Sequence, residues 1–204
     1  MEIAYAYRVT KVSANSILKL AKKWRSLFDL KESEPILPTS LVEKLADLFA
    51  RAQEPKDVYE IGFAEDMHSL GEYDPVRDVM IIREDVWDKA CMGEVEHSFT
   101  VAHEFGHSTL HHGPAFYRLE DHSYSQAQSL HADEHSEEQA DLLACSLCLD
   151  PDHLKILLRQ NVSLGLISRT YKIPAAKLER YIQRLREECG YDLEYMPGQM
   201  ELKI

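Results

Sequence analysis

Two histidines four residues apart, with a glutamate beside the first, are the part of this chain best suited to chemistry: His103-Glu104-Phe105-Gly106-His107. On a helix, residues four apart lie on one face, so both imidazoles can address a single metal ion. Glu104 then stands within reach of a water held there, where its carboxylate can act as a general base. That is the arrangement of a zinc metallopeptidase helix. The surroundings suit a buried helix, because Phe99, Val101, Ala102, Phe105 and Leu110 are apolar and no proline interrupts residues 95–112. Two neutral imidazoles on a buried face each need a partner, which favours a metal over a core helix that merely carries histidines.

A catalytic zinc site takes three protein ligands and keeps one position open for water. The third ligand has to come from another element. Glu137-Glu138-Gln139-Ala140-Asp141 opens a strongly apolar run that reaches Leu149 and is closed by Asp150-Pro151. Glu137 is the first choice. Asp141, one turn later on the same face, can accept the other ring proton of a ligand histidine and fix its tautomer. Glu138, about 100° round the helix, is the next candidate, and His111, His112, Asp133, Glu134 and His135 stay open. The metzincin pattern fails, since Leu110 stands where it needs glycine and Gly113 where it needs histidine. Cys145-x-x-Cys148 lies inside the apolar run with no second pair at zinc-finger spacing, so it reads as core. A donor to the developing oxyanion is also needed; Tyr73, Tyr117, Tyr124, His112 and His131 are unranked candidates.

The run Phe99-Thr100-x-Ala102-His103-Glu104-x-Gly106-His107-x-x-Leu110-His111, followed by Glu137-x-x-Ala140-Asp141-x-x-Ala144, resembles the ImmA/IrrE family of zinc metallo-endopeptidases. The similarity spans roughly residues 58–188. It implies His103, His107 and Glu137 as zinc ligands and Glu104 as catalytic base. It also implies an intracellular protein substrate such as a helix-turn-helix repressor, often encoded next door, whose cleavage relieves repression in mobile elements or stress responses. There are departures. The family's second helix usually ends in a Leu-Leu-Met-Pro-like run, where this chain has Leu147-Cys148-Leu149-Asp150-Pro151. Gln139 replaces its second acid, and the insert at 113–136 lengthens the path to the third ligand. A reading from another class is a non-enzymatic zinc-binding regulator that sequesters a repressor or toxin. The intact Glu104 favours the enzyme.

These residues need elements to position them. Ile17, Leu20, Ala21, Trp24, Leu27 and Phe28 follow helical spacing between Ser13 and Leu30. A second helix follows with Ser40 as N-cap and Glu43 three residues on, a capping-box pattern. Residues 58–63 have strand character. Leu70 to Tyr73, a turn at 74–78 and Val79 to Ile82 predict an antiparallel hairpin just before the metal helix. Residues 162–188 predict helix, turn, helix around Ile173-Pro174, locally basic, with six Lys/Arg against three Glu from Ser163 to Cys189. The tail from Leu193 predicts a terminal hairpin. The expected fold is a mainly helical α+β, zincin-like single domain over 1–204 with a small antiparallel sheet. Within it, 1–57 holds N-terminal helices, 58–160 the catalytic core and 161–204 a helical extension resembling a helix-turn-helix.

Composition limits the remaining classes. The chain has 204 residues and is 45% hydrophobic, enough for a real core. Four scattered cysteines read as reduced thiols, the first residues lack the apolar stretch of a secretory signal, and no run is long enough to span a membrane. The expectation is a soluble cytoplasmic protein. A net charge of −12 argues against general affinity for nucleic acid or anionic membranes.

Overall fold

The computed structural model describes residues 10–51, 60–64, 69–74, 79–111 and 135–194. Helix α1 (Ala14–Leu27) starts where Ser13 accepts a hydrogen bond from the backbone N–H of Ser16 at 3.3 Å, an N-cap. Its apolar positions at three- and four-residue spacing bury Ile17, Ala21 and the following Phe28. Helix α2 (Pro38–Arg51) begins earlier than the sequence suggests. Pro38 occupies its first turn, where the missing N–H costs nothing and φ is already helical. Ser40 therefore lies inside the first turn, and the capping-box reading is wrong.

Three short strands follow: β1 (Glu60–Ala64), β2 (Gly71–Asp74) and β3 (Val79–Arg83), in the order β1-β3-β2. The expected antiparallel pair is β2 with β3, with Tyr73 opposite Met80. The third strand is a correction, because β1 runs parallel to β3 and makes the sheet mixed. A short apolar stretch does not reveal its pairing direction, and the β2 excursion supplies the crossover that a parallel neighbour needs.

Helix α3 (Glu84–Cys91) follows β3 directly, and α4 (Val95–Leu110) carries the histidine motif. Helix α5 (Ser136–Cys148) is buried nearly all round, with a polar first turn and a run from Leu142 that is apolar except for Ser146, and α6 (Pro151–Arg159) starts at Asp150, which accepts from the N–H of Asp152 at 2.9 Å. Helices α7 (Leu164–Tyr171) and α8 (Ala175–Cys189) form the expected pair around Ile173-Pro174. The sequence patterns predict neither α3 nor α6. One buried apolar cluster draws on all eight of the described helices and on β3. Phe105 is fully buried within it, with Trp24 edge-on at 5.1 Å between ring centroids and Phe28 at 6.3 Å.

The site depends on how closely α4 approaches α5. A Cβ placed on Gly106 would lie 2.7 Å from the carbonyl oxygen of Ala140 and 3.1 Å from its Cα. Only glycine fits against that backbone. His103 and His107 lie three before and one after Gly106; Glu137 and Asp141 lie three before and one after Ala140. The contact of the two small residues thus sets both pairs of side chains face to face. Gly106→Ala must push the helices apart, because backbone cannot rotate out of the way. It should cost about 1–3 kcal/mol, as overpacking generally does, and should weaken metal retention. Thermal denaturation and metal content of the purified variant measure both; an unchanged protein would show that the contact is not limiting.

Candidate metal centre

Across the α4–α5 contact, four side chains from the predicted set meet. His103 Nε2 lies 3.2 Å from Glu137 Oε2, His107 Nε2 lies 3.3 Å from Glu137 Oε1, and the two Nε2 atoms are 3.0 Å apart. Each of the three residues offers a ligand atom, all within 4.8 Å of one another. On its other side His103 places Nδ1 2.9 Å from Asp141 Oδ1, and Lys177 from α8 donates to the remaining Asp141 oxygen. His103 Nδ1 is therefore the donor, and its Nε2 is left to the cluster. Two ring nitrogens and a carboxylate converging this closely offer the donor atoms that a cation takes. The donor set fits a metal ion.

The electrostatics agree. Burial opposes a charge on His103, but the Asp141 and Glu137 carboxylates outweigh it and raise the imidazole to about 10. Burial would likewise raise Glu137 and Asp141; the histidines hold Glu137 far below the usual carboxylate range, and His103 with Lys177 lowers Asp141. A proton on His103 and the Lys177 ammonium together balance the two carboxylates.

Glu104 is oriented differently. It is 7% exposed and packs against β2, where a Cβ on Gly71 would come within 2.9 Å of Glu104 Cγ. Burial raises its pKa, the imidazoles of His103 and His107 oppose this, and the carboxylates of Glu137 and Glu72 add to it. Side chains alternate along a strand, so Tyr73 shares the sheet face on which Gly71 meets Glu104. Of the oxyanion candidates it is the one inside the described residues.

No family model matches the chain, and no curated protein matches it. The geometry therefore carries the reading of the site.

The competing ligand candidates are disposed elsewhere. Glu138 meets Arg180 at 2.6 Å on the α8 side. His135 stands at the start of α5, outside the cluster. His111 ends α4 and turns Nδ1 to Nδ1 of His107 at 3.0 Å. His112, Tyr117, Tyr124, His131, Asp133 and Glu134, like most of the 113–136 insert and the tail from 195, lie outside the described residues. Four of the six basic residues of the C-terminal helix pair have partners within the chain: Lys172 the Gly93 carbonyl, Lys177 Asp141, Arg180 Glu138, and Arg184 Glu188 and the Glu138 carbonyl. No described helix is long and apolar enough to cross a membrane.

Sequence reasoning missed Lys177, Gly71 and the partners of His111. Lys177 lies 36 residues from Asp141 and carries no local signal. The two adjacent acids can be separated by substitution. Glu137→Ala should lose most bound metal, because two histidines make an incomplete site, whereas Glu138→Ala should keep it. Metal content by elemental analysis decides, and the reverse pattern would overturn the assignment.

Proposed function

We propose that the chain is a zinc-dependent endopeptidase of the ImmA/IrrE type, acting in the cytoplasm on a specific protein such as a helix-turn-helix repressor. The observation that carries this is the buried Glu104 carboxylate beside the convergent Nε2 atoms of His103 and His107. A protein that only sequesters a partner has no use for a buried, destabilised acid at that position.

His103, His107 and Glu137 would hold the ion. When bound, zinc supplies a Lewis acid that makes water a better nucleophile near neutral pH and polarises a carbonyl. Glu104 accepts the proton of the attacking water and delivers it to the leaving amine. Asp141, backed by Lys177, keeps His103 in the Nδ1–H form. Among the described strands β2 is at the edge of the sheet, and it lies against Glu104, so a peptide paired along it would bring its backbone to the base. Tyr73, on the same sheet face as Gly71, is the favoured donor to the oxyanion.

Glu104→Gln changes volume hardly at all but removes the proton acceptor. The variant should keep zinc and thermal stability while losing hydrolysis. Expressed in the host cell, the wild-type protein should generate new protein N-termini on one or a few proteins that the variant does not. Identical sets of N-termini from both would contradict the peptidase reading.

A further inference from the structure

The two ligand histidines are backed in different ways. His103 rests on a carboxylate. Behind His107 stands another imidazole, His111, with the two Nδ1 atoms 3.0 Å apart. His111 Nε2 lies 3.2 Å from Gln139 Oε1, and Gln139 Nε2 donates to the backbone carbonyl of Thr10 at 3.0 Å. Both intermediate side chains are sealed from water, His111 at 1% exposure and Gln139 at 0%.

The direction of every hydrogen bond follows from the far end. A backbone carbonyl only accepts, so the Gln139 amide turns its nitrogen to Thr10 and its oxygen to His111. That oxygen also only accepts, so His111 carries its proton on Nε2. A neutral imidazole has one N–H, so His111 Nδ1 is an acceptor and His107 Nδ1 must be the donor. His107 Nε2 is then bare, with its lone pair turned to His103 and Glu137. The residue type at 139 follows from the same logic. An amide can accept from His111 and donate to Thr10 at once, whereas a carboxylate cannot donate.

We propose that His111 and Gln139 are positioning residues that lock His107 in the Nδ1–H tautomer and keep its Nε2 available to a metal ion, with the backbone at Thr10 as the fixed end of the chain. The metal half of this statement rests on the reading of the site given above. The tautomer half is a property of the metal-free protein and is measurable alone.

The test uses the full chain labelled with ¹⁵N. In the chelator-treated protein, long-range proton–nitrogen correlation should show the His107 proton on Nδ1. His111→Phe should mix or reverse the His107 tautomers and weaken zinc binding about 10- to 100-fold in competition with a chromophoric chelator, as loss of a ligand's hydrogen-bond partner generally does. His111→Gln should restore much of both, because its oxygen can accept from His107 while its nitrogen donates to Gln139. A merely space-filling role predicts no such rescue. Should His111→Phe fail to fold, Gln139→Met provides the same reading from the next link. The proposal is overturned if metal-free His107 carries its proton on Nε2, if His111→Phe leaves tautomer and affinity unchanged, or if the Gln variant does no better than Phe. Wild-type protein with the Nδ1–H tautomer but no zinc affinity would instead remove the metal reading and leave the hydrogen-bond chain standing.

Discussion

The contact between Gly106 and the backbone of Ala140 is the constraint on which the rest of the structure depends. Helices with ordinary side chains at their contact keep their axes about 8–10 Å apart; here the missing Cβ on α4 lets it press onto the α5 backbone. At that approach, histidines on one helix and acids on the other reach each other without a loop between them. Precision at the site therefore comes from two rigid helices. The aromatic cluster of Trp24, Phe28 and Phe105 braces the same contact from the α1 side.

Polar groups brought together in a buried place need compensation, since an unsatisfied one costs about 1–3 kcal/mol. The chain supplies it along two routes of opposite character. From His103 a charged route runs through Asp141 to Lys177 on α8, which ties the C-terminal helix pair to the candidate metal centre. From His107 a neutral route runs through His111 and Gln139 to the backbone at Thr10. Two imidazoles of the same motif thus have their Nδ1 atoms engaged by different partners. Both ends of the described chain are anchored to the site in consequence.

Much of this was legible beforehand, for reasons that differ from residue to residue. His103, Glu104 and His107 were readable because a helix converts a spacing of four into one face. Glu137 and Asp141 could be paired by the same rule once the apolar run marked their helix. The α7–α8 pair was readable from its periodicity and from Pro174. What stayed hidden depends on contacts between distant segments. Lys177 and Thr10 are local to nothing near the motif, and the basic count of the C-terminal segment gave no hint that most of its cations pair with groups of the same chain. The parallel pairing of β1 escaped because pairing direction is not written in a five-residue strand. Ser40 misled because a capping residue and a first-turn residue share the same composition, and Pro38 decided between them.

Two histidines and one glutamate, with no thiolate, are the proposed ligands of the ion. X-ray absorption at the zinc edge of the purified, zinc-loaded protein reads this ligand set. A first shell of nitrogen and oxygen only is expected, with outer-shell scattering from two imidazoles per ion. A sulfur neighbour, or scattering from three or more imidazoles, would place the ion elsewhere in the chain and contradict it.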